Sequence, residues 1–124
     1  MTGQSLVEFA LITPLLLLLV MGTLDFGRVF YIKVALQSAA REGAYYRSYH
    51  FDDADDTNTF QAVKDEANNL GVRVNDADIN VTGCSPCVSG LPVEVTVSQT
   101  VRLWIFNFFT GPLNLSSRAR MMVQ

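Results

Sequence analysis

The chain has 124 residues and a net charge of −3, with nine Lys plus Arg against twelve Asp plus Glu, and nearly half of it is hydrophobic. That length suits one domain carrying at most a short tail or anchor. So few basic residues leave no surface for nucleic acid, and the acidic balance speaks for solubility of the exposed part without naming a partner.

The first element is a single long helix, predicted from Ser5 to about Ser48, rich in Leu and Ala and with Ser5 as its N-cap. Its uncharged part, Phe9 to Leu24, is sixteen residues lying between Glu8 and Asp25. At 1.5 Å per residue that is roughly 24 Å, and counting from Gln4 with Arg28 snorkelling extends it to a workable membrane span. Met1-Thr2-Gly3 carries no positive charge and the helical pattern continues past the apolar run, so this segment is expected to be retained, not removed as a signal peptide. A helix of about 44 residues would reach roughly 66 Å, so its second half must project beyond any bilayer.

Glu8 is the anomaly in this segment. An acid at mid-membrane costs about +2.5–3.5 kcal/mol, so Glu8 either marks the edge of an anchor or meets a partner that neutralises it. Pro14 removes one backbone hydrogen bond, and Pro14 and Gly22 together offer places to bend. In the second half, Val29, Ile32, Leu36, Ala39 and Gly43 recur at steps of three and four. This stripe narrows from branched side chains to Ala and Gly, so whatever packs there must come close. Asp25 and Arg28 are one turn apart and can pair. The chain therefore divides into a hydrophobic N-terminal helix, residues 1–48, and a head, residues 49–124.

An acidic loop, Phe51 to Thr57, leads to a second helix predicted over Thr59 to Leu70, with Asn58 as N-cap, Gln61 three residues on, and Gly71 as the stop. Phe60, Val63, Ala67 and Leu70 form its apolar face. The period then changes to two. Ile79 and Val81 alternate with polar neighbours, as do Val93, Val95 and Val97, and then Leu113, Leu115, Ala119, Met121 and Val123. Three strands with one wet face predict an antiparallel sheet laid on the long helix. A turn, "GCSPCVSGLP", joins the first two strands, and an aromatic-rich connection, "RLWIFNFFTGP", joins the second and third.

The remaining motifs are weak as chemistry. Cys84 and Cys87 form C-x-x-C in a turn, without the βαβ setting of a thioredoxin-like site and with too few ligands for structural zinc. On an extracytoplasmic face they are expected to form a small disulfide stapling the hairpin, with a redox role as the alternative. Asp52, Asp53, Asp55 and Asp56 lack the EF-hand pattern and are taken as a solvated loop, so no metal and no cofactor is expected. Trp104, Phe106, Phe108 and Phe109 could close the head's core or dock on a neighbour. Asn80 and Asn114 begin sequons, by default plain polar strand positions. His50 is the single histidine, no nucleophile is visibly paired with it, and no glycine-rich phosphate loop is present, so the chain is not expected to be an enzyme.

The Gly3…Glu8-Phe9 spacing resembles the prepilin-peptidase site of type IV pilins. The wider run, with Pro14, the Asp25-Phe26-Gly27-Arg28 box and Ala39-Ala40-Arg41-Glu42-Gly43-Ala44, resembles the TadE-like family of tight-adherence (Tad) pilus systems. These features span residues 3 to about 47. The resemblance implies an α+β, type IV pilin-like fold: a long N-terminal helix packed on a small antiparallel head. It implies Gly3 and Gln4 as a leader-cleavage pair, and Glu8, with Phe9, as the assembly carboxylate, whose partner would be a neighbouring subunit's N-terminal amine. It also implies inner-membrane residence before assembly into an extracellular pilus at the bacterial surface, other copies of the chain or other pilins as partners, and no small-molecule substrate. Adhesion is a family-level expectation. The two alternatives are a minor pilin that primes a filament of another pilin, and a signal-anchored envelope protein whose head binds a partner.

Overall fold

The computed structural model describes residues 3–52, 55–83 and 87–124. The order of elements is α1 (Gly3–Tyr49), α2 (Thr57–Asn69), a 3-10 turn (Asp76–Asp78), β1 (Ile79–Thr82), β2 (Pro92–Val101), α3 (Phe106–Thr110) and β3 (Leu113–Met122). The strands form one antiparallel sheet in the order β1-β2-β3. This is an α+β pilin-like fold, a long N-terminal helix followed by a small sheet.

α1 runs unbroken through Pro14 for 47 residues, about 70 Å at the usual rise. Its two halves have different surroundings. Every buried residue of α1 lies at Asp25 or later, among them Ile32, Ala35, Leu36, Ala39, Ala40, Gly43 and Ala44. These face Val63 and Ala67 of α2 and Val95, Val97 and Ala119 of the sheet, forming one core. The narrowing stripe has the expected consequence. A Cβ placed on Gly43 would collide with Val63 Cγ2 and lie 3.2 Å from Val95 Cγ1, so both α2 and β2 approach the helix backbone there.

Side chains of α1 also close the sheet's β3 edge. The Lys33 ammonium donates to the Ser116 carbonyl, and Gln37 Nε2 donates to the Arg118 carbonyl at 3.2 Å. These are alternate carbonyls of β3, which would otherwise present an open row of acceptors to other chains. The Tyr31 hydroxyl donates to the Leu70 carbonyl and fastens the end of α2 to the same helix.

Two elements differ in detail from their predicted form. α2 starts two residues early, with Asp56 at the cap position and no side-chain cap bond. Instead, the Asp55 carboxylate accepts the Thr57 N–H at 3.2 Å and the Thr57 hydroxyl at 2.5 Å. These bonds, the hydroxyl's foremost, lower the Asp55 pKa from its ordinary value. Gln61 donates to Asp65 at 2.7 Å and makes no capping box with Asn58. The C-terminal end is as expected: Gly71 has φ +72°, its N–H reaches the Asn68 carbonyl at 2.9 Å, and Val72 N–H reaches that of Ala67 at 2.8 Å, a Schellman closure.

In β3 the buried positions are Ser117 and Ala119, followed by Val123 just past its end, whereas Leu113 is exposed and Leu115 only partly covered. Pairing of Val97 with Ser117 and of Val95 with Ala119 places small residues opposite the valines where the helix lies closest. The leucines fall at the far end of the strand, opposite Val101 and Gln99, beyond the tightest packing.

Candidate functional site

Among the described residues the apolar half of α1 has almost no cover. Leu15 to Val20 are each more than half exposed, and the most apolar window of the helix is wholly unburied while being long enough to cross a membrane. Its polar groups are turned inward on the helix itself. The Thr13 hydroxyl donates to the Phe9 carbonyl at 2.7 Å and the Thr23 hydroxyl to the Leu19 carbonyl at 2.9 Å. With these bonds made, the span offers a nearly uninterrupted hydrocarbon surface, as an apolar medium requires.

Glu8 stands near the start of this surface, exposed, with Gln4 Nε2 at 3.5 Å from Oε1. That is a long contact to a neutral amide, and among the described residues no ion pair compensates the carboxylate charge. Gly3 and Gln4 both belong to the first turn of α1. Phe9 and Pro14 are also exposed, while Gly22 is partly covered.

Asp25 is the residue whose role sequence reasoning missed. Its side chain is buried, 3% exposed; Arg28 acts on it electrostatically, while its hydrogen bonds go to backbone distant in sequence. Oδ1 accepts the Trp104 N–H at 3.1 Å and Oδ2 accepts the Ile105 N–H at 2.8 Å. The carboxylate thus ties the aromatic connection to α1 at the residue that follows the apolar run. Charge-assisted bonds to backbone N–H groups are among the stronger hydrogen bonds. We expect Asp25→Ala to accelerate amide exchange of Trp104 and Ile105 by roughly tenfold or more while Val95 and Val97 exchange as before. Unchanged exchange at both loop amides would show that the carboxylate does not hold the loop.

The tied segment turns its rings outward. Trp104 is 69% exposed, Phe108 87% and Phe109 76%, so these aromatics do not close the head's core. That task falls to Leu103, which joins the core cluster beside Val101. Several hollows adjoin the segment, two of them beside Phe106. One, of roughly 330 Å³, lies between Asp25, Val29, Leu103 and Phe106; the other, of roughly 400 Å³, lies between Leu18, Leu19, Gly22 and Phe106. Phe26 lines both.

The Ala39–Ala44 box divides by face. Ala39, Ala40, Gly43 and Ala44 are buried against the head, whereas Arg41 and Glu42 point to the outer side. Arg47, at the end of α1, is buried and its Nε lies 3.3 Å from the Asp56 carboxylate, which fixes the start of α2. Asp53 and Cys84 lie outside the described residues; Cys87 is disulfide-bonded. Among the described residues no group of His, Cys, Asp or Glu could hold a metal ion. Asn80 and Asn114 are exposed.

A long helix, apolar and bare for its first half and built into a small sheet-containing head for its second, defines a pilin-like protein with a membrane-competent N-terminal segment. Residues 3–44, the greater part of this helix, match the family model described as TadE-like protein. That family is structural and pilus-associated. No curated protein matches the chain, and no solved structure does.

Proposed function

We propose that this chain is a structural subunit of a Tad-type type IV pilus, held in the inner membrane by residues 4–24 and then drawn into an extracellular filament through the same surface. The observation that carries this reading is the bare apolar half of α1, whose leucines the head leaves uncovered. Such a surface needs either lipid or other helices around it, and a pilin uses the two in succession.

In this reading Glu8 is the assembly carboxylate. Processing between Gly3 and Gln4 would create an amine at Gln4, and a neighbouring subunit's amine would neutralise Glu8 within the helix bundle. A charge pair in low dielectric adds little net stability but penalises wrong registers strongly, since misplacement buries both charges unpaired. Pro14 and Gly22 supply local bending, and residues 49–124 form the outer surface of the filament.

The test is the amount of this chain, relative to all other proteins, in filaments sheared from intact cells. As a main subunit it should be the dominant protein of that fraction. A trace presence would make it a minor, priming pilin instead, and retention with the cells would make it an anchored envelope protein.

A further inference from the structure

We propose that the segment Trp104–Phe109 is a second, interfacial membrane contact, its aromatic rings resting in the headgroup–acyl boundary of the bilayer that holds α1. The proposal rests on the reading that the first half of α1 enters a membrane, and it adds a partner for a part of the head.

Three observations place the segment at that depth. The Asp25 carboxylate binds the backbone of Trp104 and Ile105, so the loop is held level with the residue that follows the uncharged run of α1. Phe106 shares a hollow with Leu18, Leu19 and Gly22, three to seven residues earlier on the helix. Phe106 also lines the hollow of Asp25 and Val29, so its ring lies beside the end of the uncharged run, at the edge of the span where interfacial apolar groups sit. Finally, Leu103 to Leu113 contains no charged residue, so no ionised group in the loop resists partial desolvation.

Through Phe106 the exposed segment is therefore continuous with the bare surface of α1. Its rings extend that surface sideways at one end, where Trp and aromatic residues are favoured at membrane–water boundaries. The bilayer is favoured as occupant over a second copy because the uncharged loop is bonded to α1 where the apolar run ends and adjoins the bare surface through Phe106, so the medium that surrounds the span also meets the loop. A head held at both α1 and this loop would keep a fixed tilt against the membrane before assembly.

Trp104 is the chain's single tryptophan and so reports on the loop directly. The full chain is reconstituted into phosphatidylcholine–phosphatidylglycerol vesicles carrying bromines either high on the acyl chains or near the terminal methyls. Trp104 should be quenched roughly twofold or more strongly by the shallow bromines than by the deep ones, and aqueous iodide should quench it only weakly. A parallel chain, Leu17→Trp with Trp104→Phe, should respond most to the deep bromines and so reports on the span alone.

If the Leu17→Trp chain is quenched at depth while Trp104 stays open to iodide and unaffected by either lipid, the proposal is wrong and the anchor stands. If neither tryptophan responds to lipid, the membrane reading fails and the proposal with it. Shielding of Trp104 from iodide that grows with the protein-to-lipid ratio, without bromine quenching, would assign the loop to a second copy and likewise overturn the proposal.

Discussion

Gly43→Leu is expected to leave no folded head, and Gly43→Ala to destabilise it by about 1–2 kcal/mol. Alanine in place of glycine within a helix is ordinarily favourable by roughly 0.5–1 kcal/mol, because glycine loses more backbone freedom on folding. At Gly43 a larger opposing effect decides the sign. The new methyl would overlap Val63 Cγ2 and press on Val95 Cγ1 at 3.2 Å, and both valines are fully buried. Valine is stiff at χ1, so neither can swing aside, and relief requires α2 or β2 to shift as a body. Overpacking of this kind costs typically 1–3 kcal/mol for small additions. Leucine adds three more carbons at the same place, enough to consume most of the ~5–15 kcal/mol that holds a small domain together. Gly27→Ala is the control: nothing lies within 4 Å of its Cβ, so it should be neutral or slightly stabilising. Urea titration of the full chain in detergent, followed by Trp104 fluorescence and near-ultraviolet dichroism, separates these outcomes. A parental midpoint for Gly43→Leu would mean that α1, α2 and β2 do not meet at this residue.

Features set by neighbours in sequence were legible beforehand. The stripe Val29, Ile32, Leu36, Ala39 and Gly43 announces a buried helix face by its spacing and a close approach by its shrinking size, and all are buried except Val29, which is half-buried. Gly71 ends α2 because only its positive φ allows the Schellman closure. Alternating valines in β2 mark its buried face, and Val93, Val95 and Val97 are fully covered. What was hidden depends on residues distant in sequence. Asp25 has a ready local partner in Arg28, yet its bonds go to backbone groups about eighty residues away, where no side-chain pattern could announce them. An uncharged run followed by an acid, together with a separate uncharged aromatic loop, is the only sequence trace of that contact. The start of α2 was misplaced for a smaller reason. Asp55 and Asn58 are both good local hydrogen-bond formers, and the Asp55–Thr57 turn settled the competition. In β3 the alternation alone favoured Leu113 and Leu115 as core, but depth along the strand depends on where α1 crosses the sheet.

Glu8→Gln is expected to reduce sheared filament at least roughly tenfold while leaving the membrane-bound amount of the chain unchanged or higher, an effect corresponding to little more than one charge-assisted bond per subunit. Glutamine has the shape of glutamate and keeps an oxygen for the 3.5 Å contact from Gln4, so the substitution removes the charge and little else. Insertion into the bilayer does not suffer, because taking an ionised group toward hydrocarbon is the unfavourable step and the variant avoids it. Assembly suffers because the neighbouring subunit's amine would then be buried without a counter-charge, and an unpaired buried ion is far more costly than an intact pair is stabilising. The same reasoning ranks two further variants. Glu8→Asp retains the charge on a shorter arm and should recover part of the filament, whereas Glu8→Lys places two cations together and should recover none. Quantitative immunoblotting of sheared and membrane fractions from cells expressing each variant gives both numbers at once. Parental filament from Glu8→Gln would remove the carboxylate from assembly and leave Glu8 as the polar edge of an anchor. Loss from both fractions together would instead point to insertion or folding, which the charge-retaining Glu8→Asp chain would then be expected to restore.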